Sequence, residues 1–222
     1  METMLDPESP VAEFVSHHSG AATVFDRHHI DYCCQGHRTL TAACLDRGLQ
    51  VGELLVELEQ AYSEPDADAD ARTAPTSALI NRALARQHRT LRATLTLLEH
   101  QAIALAREYA SELPVLRQLA VSLEHLRTEM LEHLDHEEDE LFPALLAADL
   151  SAETRAKLAR MFDEHREFGG LFIRLRELTN SYTPPKGADD NVRRLFRGLA
   201  ELEGLVGRHH HVENHILLPR FR

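Results

Sequence analysis

The chain has 222 residues, of which 43% are hydrophobic and 5% aromatic, and its formal net charge is −12. This acidic balance makes nucleic acid and anionic membrane surfaces unfavourable partners. No apolar run approaches the roughly 20 residues of a membrane span, and the acidic N-terminus lacks the basic segment that opens a signal peptide. We therefore expect a cytoplasmic protein, and its richness in Leu and Ala favours an all-α fold.

Residues 1–62 are predicted to form a small helical domain. Apolar residues recur at helical spacing in four segments, which Gly20, Gly36 and Gly48 separate. Between the second and third segments lie Cys33 and Cys34, which cannot easily bridge each other without strain. Such a pair indicates either a loop that handles thiol or metal chemistry or two half-buried core residues, and both readings stay open.

Cys44 follows the apolar pattern of the third segment, so we expect it in the core. Three cysteines, two of them adjacent, do not form a disulfide framework, which again favours the cytoplasm.

Residues 63–76 are acidic, flanked by proline and poor in apolar side chains, which predicts a linker. Residues 77–222 follow it with four long helical patterns, at about 77–110, 111–146, 151–180 and 188–218. Four such helices with short connections predict an antiparallel four-helix bundle.

Two His-x-x-x-Glu sequences, His133 with Glu137 and His209 with Glu213, stand shortly before Pro143 and Pro219. We expect each proline to close its helix. Residues four apart lie about one turn apart on one face, so an imidazole and a carboxylate in this spacing can reach the same buried metal ion.

Helical phase separates these pairs from their neighbours. His133 and Glu137 continue an apolar stripe, whereas His136 and Glu140 continue a polar row. The same reading places His209 and Glu213 inward, and it adds one inward histidine on each remaining helix, His88 and His165. The other histidines are expected at the surface or around the ligands: His17, His18, His28, His29, His37, His100, His125, His136, His210, His211 and His215.

Six buried donors from four helices suit two metal ions better than one. Burying these groups without a metal would cost several kcal/mol for each unpaired charge. Imidazole with carboxylate favours iron, with manganese and zinc as chemical alternatives. Glu137 and Glu213 are the natural bridging ligands, because each offers two oxygens.

Residues 77–219 resemble a haemerythrin-type (HHE) cation-binding bundle. The segments that carry a wider resemblance are Asp31-Tyr-Cys-Cys, His88, His133-x-x-x-Glu137-Glu138 with Leu141-Phe-Pro, Glu164-His165, Thr183-Pro-Pro, and His209-x-x-x-Glu213-Asn214 with Pro219-Arg220. Through them the whole chain resembles the di-iron proteins of iron–sulfur cluster repair, the RIC or YtfE/ScdA-like family. It departs from the family at Gln35, where a glycine is usual, and at Leu218, where a phenylalanine is common.

This resemblance implies two non-haem iron ions, joined by an oxo or hydroxo bridge and by Glu137 and Glu213. The implied ligands are His88, His133, Glu137, His165, His209 and Glu213. The implied function is repair of iron–sulfur clusters damaged by nitrosative or oxidative stress, through iron donation or redox chemistry, with the damaged iron–sulfur proteins as partners.

Two other functions remain open, reduction of NO to N2O at the di-iron site and a haemerythrin-like sensor of O2 or redox state. Oxygen-carrying haemerythrins add a second histidine on the third helix, at the position of Gly169 here. An open metal position suits NO or O2 chemistry, or release of iron, more than reversible carriage. The small N-terminal core also makes a homodimer one expectation.

Three residues are candidates for a chemical role beyond ligation. Cys33 and Cys34 would be reactive if a nearby cation stabilised the thiolate, and the local cations are His29, His37 and Arg38. Glu164 would either guide ions or protons or be an ordinary surface glutamate.

Overall fold

The computed structural model describes residues 5–66, 69–109, 111–148 and 150–221. Over these ranges the chain consists of helices joined by turns and loops, and the only β-pairing is an isolated bridge between Pro10 and Thr39. No helix within them is both long and apolar enough to cross a membrane.

The chain divides into two compact units, residues 1–79 with 207–222 and residues 80–206. We call them the N-terminal unit and the bundle unit. Their boundaries differ from those of the segments 1–62, 63–76 and 77–222 described above, because residues 207–222 group with the start of the chain.

The N-terminal unit begins with four helices: α1 (Val11–His17), α2 (Gly20–Arg27), α3 (Leu40–Arg47) and α4 (Val51–Ser63). The Thr39 side chain accepts a hydrogen bond from the Ala42 amide and so caps α3, which ends at Gly48 in the left-handed region, with φ of 66°. Cys44 is fully buried in the core of this unit, as its place in the apolar pattern predicted.

The remaining helices are α5 (Thr76–Arg82), α6 (Arg89–Glu108), α7 (Val115–His136), α8 (Phe142–Leu146), α9 (Ala152–Thr179) and α10 (Asp190–His211). Three π-helical segments interrupt or extend them, at Ala83–His88, Glu137–Leu141 and Val212–Leu217, and a 3-10 helix follows at Leu218–Phe221. The start of α5, through Leu79, and the end of α10, from Gly207, belong to the N-terminal unit.

The bundle unit has one core, to which all four helical rods contribute. Each of the four long helices supplies core residues that are at most 4% exposed, for example Leu95, Leu123, Phe172 and Leu199. The predicted stripe of α7 is buried along its length, from Leu119 to Met130. Gly198 permits close helix packing, since a Cβ there would lie 2.6 Å from Leu98 Cδ2. The fold is therefore the predicted all-α one, an antiparallel four-helix bundle with a small helical domain before it.

Pro143 does not close its helix, contrary to expectation. It lies in the first turn of α8, directly after a π segment. The π segment Glu137–Leu141 comes directly before and shifts the hydrogen-bonding register, so the rod continues to Leu146. Pro219 lies inside the short 3-10 helix.

Gly36 is expected to tolerate no side chain. A Cβ there would lie 2.5 Å from the Tyr32 carbonyl oxygen and 2.6 Å from Ala12 Cβ. We expect Gly36→Ala to lower the free energy of unfolding by about 1–3 kcal/mol, the usual range for overpacking. Denaturant titration of the full chain measures this loss.

The matched control is Gly52→Ala, because nothing lies within 4 Å of a Cβ at that position in α4. Alanine there should raise the stability by about 0.5 kcal/mol. Equal stabilities of the two variants would contradict the close approach at Gly36.

Candidate metal centre

Three of the six expected ligands lie in π-helical segments. His88 ends the first segment, Glu137 begins the second and Glu213 lies in the third. A π turn is rare in proteins and is frequently found at functional sites. The backbone therefore departs from regular helix where these side chains are positioned.

The bundle unit brings four of the expected ligands together. Glu137 is fully buried, with Oε2 3.4 Å from His88 Nε2 and Oε1 3.4 Å from His133 Nε2. His165, on α9, places its Nε2 3.3 Å from His133 Nε2. The two oxygens of the Glu137 carboxylate therefore face imidazoles from two different helical segments.

The remaining pair, His209 and Glu213, lies in the N-terminal unit. His209 Nε2 is 3.5 Å from Glu213 Oε2, and the two residues are 0% and 1% exposed. The predicted i, i+4 arrangement and its burial are therefore present. His136, by contrast, faces Glu140 at 3.6 Å on the row predicted to be polar, and Lys157 also contacts Glu140.

A carboxylate orients His88. Glu138 Oε1 accepts a hydrogen bond from His88 Nδ1 at 2.9 Å and another from Arg92 at 3.0 Å. Burial would raise the pKa of Glu138, but the hydrogen bonds from His88 and Arg92 lower it below its ordinary value. Since the carboxylate accepts, the hydrogen of His88 is on Nδ1. Its Nε2, which faces Glu137, therefore carries no hydrogen and has a lone pair available for a metal ion.

His133 is held in the same way by Glu164. Glu164 Oε2 lies 2.9 Å from His133 Nδ1, and its Oε1 accepts from Arg160 Nε at 2.6 Å. The hydrogen bond from His133 is the largest of the causes that lower the pKa of Glu164 to about 2. Glu164 is thus an ionised carboxylate at neutral pH that fixes the ring of His133. This role is neither of the two that the sequence suggested for Glu164, a guide for ions or protons and an ordinary surface glutamate.

Burial alone would lower the pKa of His133, yet the charge of Glu137 and the hydrogen bond to Glu164 raise it above its ordinary value. The protein therefore surrounds this imidazole with negative charge, an environment that also favours a bound cation.

A cavity of about 330 Å³ reaches His133 from the outside of the bundle unit. Its charged lining comprises Glu129, Glu132, Arg160, Glu164, Glu167 and Arg174. The cavity is thus large enough for a small molecule next to His133.

Removing the Glu164 carboxylate should weaken metal binding without removing a ligand. We expect Glu164→Ala to raise the dissociation constant for iron about 10-fold to 100-fold, because partners that orient a ligating histidine typically contribute that much. Competition with a chelator measures this constant. Glu167→Ala is the matched control, since Glu167 lines the same cavity from the same helix but is exposed. Equal affinities in the two variants would refute the orienting role.

The cysteine loop is ordered by Asp31. One carboxylate oxygen accepts hydrogen bonds from the amides of Cys33 and Cys34, at 3.1 and 2.8 Å. The two thiols are half-buried and not bridged, with their Sγ atoms 3.4 Å apart.

One of the three candidate cations, Arg38, forms an ion pair with a carboxylate. Arg38 binds Asp46 at 2.5 Å, whereas the charged group in contact with Cys33 Sγ is the Asp31 carboxylate at 3.3 Å. The hydrogen bond to Cys34, then burial and then the Asp31 charge raise the pKa of Cys33 well above its ordinary value. Without a bound cation, this loop therefore favours the protonated thiol of Cys33.

Two histidines that phase placed outside the inward stripe are buried in the N-terminal unit. His210 is 1% exposed and His211 is 3% exposed. His211 Nε2 lies 3.3 Å from Ser16 Oγ, and its ring packs edge-on against Tyr32. Burial, followed by the neighbouring His215, lowers the pKa of His211 to about 3. Of the two positions expected for these histidines, at the surface or around the ligands, the surface is therefore excluded.

Phase missed these residues because it assumed a single buried face for the end of α10. The sequence did contain one signal of a second buried face, the glycine at position 207 within the helix. A Cβ at Gly207 would lie 3.1 Å from the Tyr32 hydroxyl oxygen. A helix that admits an aromatic side chain so closely is covered on more than one side.

Comparisons with known proteins match both parts of the chain. Residues 7–62 match ScdA_N, a domain of unknown function (DUF542), and residues 79–221 match the hemerythrin HHE cation binding domain. The iron-sulfur cluster repair protein YtfE of Enterobacter sp. (strain 638) is 31% identical, over 96% of both chains. The iron-sulfur cluster repair protein ScdA of Staphylococcus haemolyticus is 28% identical, over 98% of this chain and all of its own. With both domains matched in order and near full-length coverage, the chain belongs to the YtfE/ScdA family of hemerythrin-domain proteins.

Proposed function

We propose that this chain is a di-iron protein that repairs iron–sulfur clusters damaged by nitrosative or oxidative stress. The observation that carries the proposal is the buried Glu137, with one oxygen toward His88 and the other toward His133, each 3.4 Å away. Sequence comparison also supports the proposal, because relatives aligned over 96% or more of this chain are named iron-sulfur cluster repair proteins.

The proposed ligands are His88, His133, Glu137, His165, His209 and Glu213, with Glu137 and Glu213 as bridges. Four imidazoles and two carboxylates fit iron, whereas magnesium or calcium would favour oxygen donors alone. When bound, the iron pair supplies exchangeable metal ions and one-electron redox chemistry. The protein holds the rings of His88 and His133 through Glu138 and Glu164, and a cavity borders His133.

Reduction of NO to N2O is the second candidate. The observation that favours it is Gly169 on α9, four residues after His165, where the backbone offers no side chain to ligate a metal. A metal position that the protein leaves open would bind NO.

We place this activity in the cytoplasm, where thiols stay reduced, because Cys33, Cys34 and Cys44 are thiols rather than disulfides. The partners in this proposal are damaged iron–sulfur proteins, with NO or O2 as small ligands and a homodimer as the assembly.

One experiment tests both activities together. The iron-loaded full chain is added to an iron–sulfur dehydratase that NO has inactivated, and recovered activity and N2O are measured on the same sample. Recovery above that given by an equal amount of free ferrous ion with thiol supports repair, and no such excess rejects it. N2O above that of the iron-free chain supports the second candidate.

A further inference from the structure

The two thiols of the cysteine loop lie next to a buried histidine that the proposed iron site does not use. One donor atom from each of Cys33, Cys34 and His210 lies within 4.8 Å of the other two. All three residues belong to the N-terminal unit, and His210 is 1% exposed.

The spacing of the sulfurs fits a shared metal ion. The Sγ atoms are 3.4 Å apart, whereas a disulfide would require about 2.05 Å. Two thiolates bound to one tetrahedral ion, at about 2.3 Å each, lie about 3.8 Å apart. A small adjustment of the side chains would therefore give both sulfurs a common ligand position.

The backbone around these donors is already held in place. Asp31 binds the amides of both cysteines, and the Cys33 carbonyl oxygen accepts hydrogen bonds from His215 Nε2 at 2.8 Å and Asn214 Nδ2 at 3.4 Å. His215 and Asn214 come from the same C-terminal segment as His210. Hydrogen bonds thus join the cysteine loop to the C-terminal segment that contains His210.

The local charge also favours a cation. The Asp31 carboxylate lies 3.3 Å from Cys33 Sγ, and the local arginine, Arg38, is engaged by Asp46. This negative environment disfavours a bare thiolate but stabilises one that is neutralised by a divalent ion.

We propose that Cys33, Cys34 and His210 form a second metal-binding site, which takes a single thiophilic divalent cation of the zinc or ferrous class. Binding releases the two thiol protons, forms two metal–sulfur bonds and one metal–nitrogen bond, and involves no change of oxidation state. Three protein ligands leave the fourth tetrahedral position to a water or an incoming ligand. This site takes no ligand from the proposed iron set, although its His210 ring lies 5.5 Å from the His209 ring on α10.

Cobalt(II) is the probe, because thiolate coordination gives it charge-transfer absorption in the near ultraviolet and tetrahedral coordination gives it intense visible bands. The iron-loaded full chain, with its thiols reduced, is titrated with Co2+, and its iron content is measured before and after. We expect the bands to saturate at about one Co2+ per chain with the iron retained. No saturable thiolate band, or cobalt bound only as iron leaves, would overturn the proposal.

Variants identify the ligands. Cys33→Ser and Cys34→Ser should each abolish the band, and His210→Asn should weaken Co2+ binding at least about tenfold. The control Cys44→Ala should leave the band unchanged, because Cys44 is buried in the core.

His210→Cys separates ligation from folding, since it offers another soft donor at a buried position. It should bind Co2+ with stronger thiolate absorption than the unaltered chain. A folded His210→Cys chain that does not bind, or Co2+ binding unaffected in His210→Asn, would remove His210 from the site and overturn the proposal.

Discussion

Replacing Glu137 with alanine should empty the proposed iron site. Each of its oxygens faces one of the imidazoles of His88 and His133, so this one change removes a ligand from both ions. We expect the iron content to fall from about two per chain, as in di-iron carboxylate bundles, to near zero. Metal analysis of the purified full chain measures the loss, and circular dichroism verifies that the helices remain.

The neighbouring helical row supplies the matched control. His136→Ala removes a histidine from the same helix, three residues from His133, and Glu140→Ala removes its i, i+4 partner. Both variants should keep their iron, whereas His133→Ala should lose it. Loss of iron in His136→Ala with retention in His133→Ala would show that the wrong face of α7 was assigned to the metal.

The double variant Cys33→Ser, Cys34→Ser should separate iron binding from repair. The proposed iron ligands do not include the cysteines, so we expect the iron that survives a chelator wash to be unchanged. We expect the rate of cluster repair to fall by at least about tenfold, equivalent to about 1.4 kcal/mol of activation free energy. The proposed physical reason is that the thiols, half-buried in their loop, are the accessible soft donors of the N-terminal unit.

Iron content and repair are measured on the same preparation, with Cys44→Ala as the control for loss of a thiol elsewhere. Loss of both properties in the double variant would make the pair structural or a ligand of the iron. Retention of both would leave the cysteine loop without a role in repair.

Helical phase predicted much of this protein because it depends on residues near one another in the sequence. It predicted the four rods of the bundle, and it identified His133 and Glu137, 2% and 0% exposed, as inward. Capping also follows local sequence, as at Ser151, whose hydroxyl accepts a hydrogen bond from the Thr154 amide and begins α9. A spacing of three or four residues is enough to decide which face of a helix a side chain occupies.

The sequence by itself thus determined the helical architecture and the inward residues, while tertiary packing decided how those residues are held. Glu164 on α9 orients His133 on α7, and Cys33 lies beside His210 although 177 positions separate them in the chain. The π turns at Glu137 and Glu213 likewise depart from the regular period on which phase relies. The physical reason is that periodicity reports only the surroundings of one helix, whereas a ligand's partner, a second buried face and a local change of helical register depend on segments that meet only when the chain folds.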